Sequence, residues 1–73
     1  MLMKSQIILY IYDKLLEEKK LYSNDIIGEF GMSTRTFRRY ISETQAFLTN
    51  FNKHKIIKYS MKDKCYLLLD EKI

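Results

Sequence analysis

A glycine and a serine two residues apart, Gly31 and Ser33, separate two apolar periodic segments and constrain the fold of this chain strongly. Glycine readily adopts the left-handed backbone conformation in which many helices end, and serine is a preferred residue at a helix N-cap. The stretch Gly31-Met32-Ser33 therefore predicts a tight turn between two helices. In this arrangement Met32 fills the space between them.

Three helices are predicted around this turn, from Ser5 to about Lys20, from Ser23 to Phe30 and from Thr34 to about Thr49. The Ser23 hydroxyl is expected to cap the second helix, as Ser33 caps the third. Apolar residues recur at the three- and four-residue spacing that gives a helix one buried face. In the first helix these residues are Ile8, Ile11, Tyr12, Leu15 and Leu16. In the third, Phe37, Ile41 and Leu48 share one face with Thr44.

After Asn50 the pattern changes to two short runs of β-branched, aromatic and leucine residues, 55–59 and 65–69. The polar stretch 60–64 joins them and contains an aspartate suited to a type I turn, so the runs predict a β-hairpin. An isolated hairpin is marginally stable in water and must therefore pack on the helices. The predicted fold class is α+β, mostly α, with three helices and a C-terminal two-stranded hairpin in one domain spanning residues 1–73.

Composition excludes several classes of protein. With no proline and two glycines among 73 residues, the chain has no room for a flexible linker or a repeat. Its apolar runs are far shorter than the roughly 18 residues of a membrane span, and no signal sequence is apparent. The lone cysteine, Cys65, excludes an internal disulfide and fits a reducing compartment. We therefore expect a cytoplasmic location and no membrane partner.

Catalytic and metal sites are not indicated by the sequence. His54 and Cys65 are too few ligands for zinc, which requires three or four. There is no glycine-rich phosphate loop, and a domain of this size is too small for an enclosed pocket. We expect neither an enzyme nor a bound cofactor.

The whole chain has a net charge of +4, and its positive charge is concentrated in the second half. Residues 1–32 carry four lysines against five acidic residues, a net −1. Residues 33–66 carry three arginines and five lysines against two acidic residues, a net +6, and residues 67–73 return −1. Such a footprint is typical of a polyanion-binding face, although basic residues also serve solubility.

The third helix begins with a run of hydroxyl and guanidinium side chains. Because Phe37 and Ile41 face inward by helical periodicity, these polar residues are left outward or on the flanks. The DNA major groove admits one helix, arginine can form a bidentate pair with guanine, and hydroxyls suit phosphate oxygens. The sequence therefore predicts contacts with double-stranded DNA from Ser33, Thr34, Arg35, Thr36, Arg38, Arg39 and Ser42.

Three positions in this helix have alternative interpretations. Arg39 could instead pair with Glu43 four residues later. Thr36 could take part in the helix cap rather than touch a phosphate. Tyr40 is expected to pack against the rest of the domain rather than contact the DNA backbone.

The stretch SNDIIGEFGMSTRTFRRYISE, residues 23–43, resembles the N-terminal winged helix-turn-helix of bacterial transcription regulators of the DeoR type and the related WYL-domain type. The characteristic family stretch is a Leu-Ala pair, a Gly-Val-Ser turn and then Thr-Ile-Arg-Arg-Asp-Leu. The matching positions are Ile26, Phe30, Gly31, Met32, Ser33, Thr36, Phe37, Arg38, Arg39 and Ile41. The resemblance covers nearly the whole chain, since the run CYLL at 65–68 is similar to the Gly-Tyr-x-Leu run that ends a WYL-type wing.

Two positions depart from the family pattern. Ile27 replaces a small residue, which implies a wider spacing or another crossing angle between the second and third helices. Tyr40 replaces an aspartate, so any ion pair of that aspartate is absent. The resemblance implies that the third helix enters the major groove and that the hairpin is a wing along the duplex. It further implies that Lys62 and Lys64 at the wing tip contact phosphates, whereas the alternative is that these lysines protect the hairpin edges from aggregation.

By the same resemblance the chain is expected to be part of a longer, homodimeric bacterial transcription regulator with a second domain. Residues that could furnish a dimer contact are Leu2, Met3 and Ile7 on the first helix, and Phe47 and Phe51 on the third. One alternative is a winged-helix protein–protein interaction module, whose sign would be a large exposed apolar patch. RNA binding is a third possibility, disfavoured because exposed aromatic residues are not grouped on one strand face.

Overall fold

The computed structural model describes residues 3–51 and 53–70. Within them the chain is a small α+β domain, mostly helical, with three helices and one three-stranded antiparallel sheet of order β1-β3-β2. The elements in chain order are α1 (Lys4–Glu18), β1 (Lys20–Leu21), α2 (Ser23–Phe30), α3 (Thr34–Asn50), β2 (Lys55–Ser60) and β3 (Cys65–Asp70). The existence and type of all three helices and of the hairpin β2–β3 are as predicted.

The buried face of α1 is displaced from the predicted stripe. Ile7, Ile11 and Leu15 are buried at a spacing of four residues, whereas Ile8 is half-buried at the flank and Leu16 is exposed. The apolar run 7–12 is nearly continuous, so periodicity alone does not separate two adjacent faces of the helix. The prediction of Leu16 as a core residue is therefore wrong.

The end of α1 also differs from the prediction. Lys19 adopts the left-handed conformation (φ 64°), and its N–H donates to the Leu15 carbonyl at 2.9 Å. This turn directs Lys20 and Leu21 into β1, where Leu21 is buried opposite Tyr66 of β3. A strand of two residues has no periodicity to detect. The sequence therefore predicts two strands where the structure has three, and Lys19 and Lys20, at the predicted end of the first helix, lie beyond α1.

The turn between α2 and α3 confirms the prediction. Gly31 closes α2 with φ 62°, and Met32 is half-buried against the core. The Ser33 hydroxyl accepts a hydrogen bond from the Thr36 N–H at 3.1 Å and so caps α3. The turn and the cap together fix the direction in which α3 leaves α2.

The start of α2 does not have the predicted cap. Ser23 is the first helical residue, and the cap position is Tyr22, whose side chain forms no capping hydrogen bond. Asp25 lies in the first turn of α2. A carboxylate there is favourable because the N-terminal end of a helix carries partial positive charge.

The core lies between the three helices and one face of the sheet. The predicted inner face of α3, consisting of Phe37, Ile41, Thr44 and Leu48, is buried at every position. Phe37 is fully shielded and meets the Tyr66 ring edge-on, with ring centroids 5.6 Å apart. The buried Thr44 hydroxyl donates to the Tyr40 carbonyl at 2.9 Å, so this buried polar group is satisfied.

The hairpin is attached to α3 by the Gln45 side chain. The Gln45 amide oxygen accepts a hydrogen bond from the Ile57 N–H at 2.7 Å, and its amide nitrogen donates to the Lys55 carbonyl at 3.4 Å. Because β2 is an edge strand, these backbone groups have no neighbouring strand on that side. One glutamine thus satisfies the edge of the sheet and holds the hairpin against the helix.

Candidate nucleic-acid interface

The helix α3 carries different side chains on each side of its axis. Thr34 and Arg38 share a depression with the hairpin, while Glu43 and Phe47 contact α1. Between these two flanks, and opposite the core, the exposed side chains include Arg35, Arg39 and Ser42. The predicted outward face of α3 is therefore present.

The three arginines lie together on the N-terminal half of α3. Arg35 precedes Arg38 by three residues and Arg39 by four, which is the spacing that brings side chains together on a helix surface. All three are exposed, and none forms an ion pair or a side-chain hydrogen bond with any residue of 3–51 or 53–70. The guanidinium groups are therefore available to a partner outside the domain.

The alternative pairing of Arg39 with Glu43 is not formed. Glu43 is the only acidic residue of α3, and its Oε2 lies 2.8 Å from the Lys4 ammonium nitrogen. This oxygen is shielded from solvent and accepts no hydrogen bond from the described residues, so the Lys4 charge is what compensates it. The ion pair between α1 and α3 thereby keeps the carboxylate away from the arginines.

The predicted hydroxyl residues divide into two pairs. Ser33 and Thr36 are used within the N-cap, since the Ser33 hydroxyl also donates to Thr36 Oγ1 at 3.0 Å. Thr36 is half-buried and takes the capping role left open by the sequence. Thr34 and Ser42 are exposed, and their hydroxyls form no hydrogen bond within the part of the chain that the structure describes.

Lys62 and Lys64 lie in the loop between β2 and β3, as predicted, and both are exposed. The Asp63 N–H donates to the Ser60 hydroxyl at 3.2 Å, which closes the loop. Lys64 adopts the left-handed conformation (φ 55°) immediately before β3. Neither lysine forms an ion pair with a described residue.

The lysine at the base of the hairpin has a different environment. The Lys55 ammonium lies 2.6 Å from Asp70 Oδ1 across the two strands. The hydrogen bond that it donates, together with its positive charge, lowers the pKa of the Asp70 carboxyl. Lys55 is thus occupied within the hairpin, whereas Lys53 and Lys58 are exposed.

A depression between α3 and the hairpin adds a residue that the sequence analysis does not assign to the interface. Its volume is about 190 Å³, and it is lined by Ser23, Thr34, Phe37, Arg38, Tyr59 and Tyr66. Tyr59 is 46% exposed there and stands opposite Tyr66 across the strands, with ring centroids 5.0 Å apart. Two aromatic rings therefore share one strand face here, of which Tyr59 is exposed and Tyr66 is half-buried.

The signal that could have identified Tyr59 is the length of the hairpin loop. The predicted five-residue loop, 60–64, would place Tyr59 opposite Cys65. The structure pairs Ser60 with Cys65 and so leaves a four-residue loop, 61–64. Because successive residues of a strand face opposite sides, this single step moves Tyr66 to the same face as Tyr59.

A separate apolar groove lies between α1 and the C-terminal half of α3. Its volume is about 180 Å³, and its lining residues are Ile8, Leu9, Tyr12, Thr44 and Phe47. The Phe47 ring contacts the rings of Tyr12 and Phe51, with centroids 5.7 Å and 4.9 Å away. Leu9 and Phe51 remain 64% and 65% exposed, so this aromatic row continues to the surface.

The residues predicted for a dimer contact fall at different depths. Met3, Phe47 and Phe51 are exposed. Ile7 is buried in the core, because the inner face of α1 is centred on it and its i+4 neighbour, so its prediction as a contact is wrong. Leu2 lies outside the described residues.

Another depression, of about 280 Å³, lies between α1 and α2, and it is unsuited to a polyanion. Lys14 and Glu18, four residues apart on α1, both line it and pair at 2.7 Å, and their hydrogen bond lowers the pKa of Glu18 and raises that of Lys14. The carboxylates of Asp25 and Glu29 also line this depression. Lys20 lines it as well, but the three carboxylates outnumber the two lysines, and this excess of negative charge disfavours phosphate.

The described residues contain no group of three His, Cys, Asp or Glu side chains that could hold a metal ion, and Cys65 is buried while His54 is exposed. No helix in the described ranges has the length and apolar character needed to cross a membrane. Comparison of the chain with models of protein families, with curated proteins and with solved structures finds no match.

Proposed function

We propose that this chain binds double-stranded DNA as a winged helix-turn-helix domain of a transcription regulator. In this proposal α3 enters the major groove with its N-terminal half, and the hairpin β2–β3 lies beside it as a wing. The observation that supports the proposal most directly is the exposed cluster of Arg35, Arg38 and Arg39 on one helix face, without ion-pair partners among the described residues.

The dimensions and chemistry of the cluster suit this role. An α-helix with its side chains is about 10–12 Å wide, and the major groove is about 12 Å wide. An arginine without an internal partner can reach guanine or phosphate without first breaking an ion pair. Thr34 and Ser42 carry free hydroxyls beside the arginines, and hydroxyls are suitable donors to phosphate oxygens.

The proposed interface extends to two further groups of residues. Ser33 and Thr36 hold the start of α3, and the resemblance assigns Lys62 and Lys64 to phosphates beside the wing tip. Six to eight phosphate contacts would make the log–log dependence of affinity on salt about −5 to −7. Two copies of the chain on two half-sites, one helical turn apart, would complete the proposed homodimer.

The proposal is tested by selecting duplexes from a random pool at two salt concentrations. The expected result is one enriched half-site, and the affinity for it should depend on salt with a log–log slope of about −5 to −7. The matched variants are Arg38→Ala, within the arginine cluster, and Lys19→Gln, which removes an exposed positive charge outside that cluster. The charge of Lys19 acts instead on Asp70, at the base of the hairpin. Arg38→Ala should relax the sequence preference and Lys19→Gln should preserve it. Failure of the wild-type chain to enrich any duplex would reject the proposal.

A second candidate function, contact between two copies of the chain, is favoured by the apolar groove between α1 and α3. Exposed apolar patches on small domains often mark protein interfaces. Sedimentation equilibrium without DNA tests this second candidate independently of DNA binding. A mass that rises with protein concentration in the wild type, but not in Phe51→Ser, would support the self-association role. A constant monomer mass would reject it.

A further inference from the structure

We propose that the depression between α3 and the hairpin holds one phosphodiester group of the duplex, and that the Tyr59 hydroxyl is the hairpin's donor to it. This inference rests on the proposed DNA-binding function and specifies which atoms meet the backbone. In this inference the hairpin contacts the DNA backbone through Tyr59, beside α3, as well as through Lys62 and Lys64 in the loop.

The depression brings donors from two elements of the fold to one place. The residues that line it include Arg38 and Thr34 from α3 and Tyr59 from β2, and each of the three side chains ends in hydrogen-bond donors. None of these three side chains forms a hydrogen bond or an ion pair with a described residue. No acidic side chain is among the residues that line the depression. One cation with neutral hydroxyls matches a phosphodiester, which carries a single negative charge and oxygens that accept several hydrogen bonds.

The position of Tyr59 is fixed by a row of aromatic contacts that begins in the core. The fully buried Phe37 packs edge-on against Tyr66, and Tyr66 packs edge-on against Tyr59. Aromatic pairs of this geometry have preferred orientations, which restrict the ring. A donor that is already held in place loses little conformational entropy on binding, so its hydrogen bond contributes more to affinity.

A tyrosine hydroxyl and a lysine differ in how their contacts depend on salt. A lysine that neutralises a phosphate releases counterions, so its removal makes the salt dependence less steep. A neutral hydroxyl releases none. Loss of the Tyr59 contact should therefore lower the affinity by the same factor at every salt concentration, whereas loss of a loop lysine should lower the slope.

The variant Tyr59→Phe removes the hydroxyl and keeps the ring that packs on Tyr66. Its affinity for the selected half-site should fall about tenfold, as expected for one hydrogen bond to a charged group, with an unchanged salt slope. Lys62→Ala should instead lower the slope by about 1. Tyr22→Phe is the matched control, because Tyr22 is also exposed (40%) but does not line the depression, and it should bind like the wild type.

A scan with methylphosphonates, which replace one charged phosphate at a time by a neutral group, locates the contact. Several positions in the half-site should weaken the wild type, and at one of them Tyr59→Phe should cause little further loss. Tyr59→Phe with wild-type affinity, or with an equal further loss at every position, would overturn this inference while leaving the proposed function intact. If the wild type binds no duplex, the proposed function fails, and this inference fails with it.

Discussion

The two halves of α3 use their polar side chains differently. In the C-terminal half the polar groups are engaged within the domain: Glu43 pairs with Lys4, Thr44 donates to the Tyr40 carbonyl, and Gln45 bonds the edge of β2. In the N-terminal half, beyond the Ser33–Thr36 cap, the exposed arginines have no such partners among the described residues. The comparison teaches that the side chains that hold the fold are separate from those available to a ligand.

This separation has a physical basis. A polar group that is already bonded inside the domain must break that bond before it can bind elsewhere, and a half-buried group left unpaired costs free energy. An exposed arginine without an internal bond incurs neither cost. Substitutions in the two halves should therefore affect stability and DNA binding in opposite ways.

The largest expected effect concerns the core beneath both halves. Phe37→Ala should lower the free energy of unfolding by about 3–5 kcal/mol, because it removes a fully buried ring and leaves a cavity. Urea denaturation followed by circular dichroism measures this loss. Phe51→Ala, at a residue that is 65% exposed, should cost less than about 1 kcal/mol. Equal losses for the two variants would contradict the described core.

Gln45→Ala tests the C-terminal half. It should lower the free energy of unfolding by about 1–3 kcal/mol, because the Ile57 N–H and the Lys55 carbonyl lose their partner. Ser42→Ala, at an exposed residue with no described hydrogen bond, should change it by no more than about 0.5 kcal/mol. The same denaturation experiment applies. A neutral Gln45→Ala would show that the hairpin does not depend on this link.

Arg38→Ala tests the N-terminal half and should show the opposite result. We expect an unfolding free energy within about 0.5 kcal/mol of the wild type, but a loss of about 1–3 kcal/mol in binding to the selected duplex. Fluorescence anisotropy at two salt concentrations measures the binding. Unchanged affinity at low salt would remove Arg38 from the interface, and a large loss of stability would contradict its exposed position.

The smallest expected effect is at the base of the hairpin and depends on pH. The folded-state pKa of Asp70 is lowered by Lys55, so the pair stabilises the fold above the ordinary carboxyl pKa and this contribution is lost as the pH falls through the lowered value. Asp70→Asn should therefore be slightly less stable than the wild type at pH 7. The two proteins should become equal once the pH has fallen below the lowered pKa of Asp70. A difference that persists in acid would assign the effect to packing rather than to charge.

Local signals in the sequence were sufficient for the turn between α2 and α3 and for the buried face of α3. Gly31 and Ser33 act on their immediate neighbours, and the residues of the buried face recur with helical spacing. The predicted inner face of α1 differs from the buried one because an almost unbroken apolar run is compatible with two adjacent faces of the helix. The short strand β1 was missed because its partner lies more than forty residues later, at Tyr66 and Leu67.

The sequence predicts those features of the candidate site that depend on α3 alone. It does not predict those that depend on contacts between two elements of the fold. The exposure of Arg35, Arg38 and Arg39 follows from helical periodicity. The pairing of Glu43 with Lys4 rather than with Arg39 depends on how α1 packs against α3, which no local pattern records. The place of Tyr59 beside Arg38 depends on the hairpin register, where an error of one residue moves a side chain to the opposite face. The DNA-binding role itself stays a prediction.

The short strand β1 has a consequence for how such a domain could be altered. Strand β3 is bonded on both sides, to β2 and, through Lys20–Leu21 and the Lys19 carbonyl, to the segment that follows α1. The length of the connection between α1 and α2 therefore determines the orientation of the hairpin. An added or deleted residue at 19–22 would change the orientation of the whole sheet. The loop 61–64 is free of this constraint. Extensions and substitutions there could retune recognition while the scaffold remained unchanged.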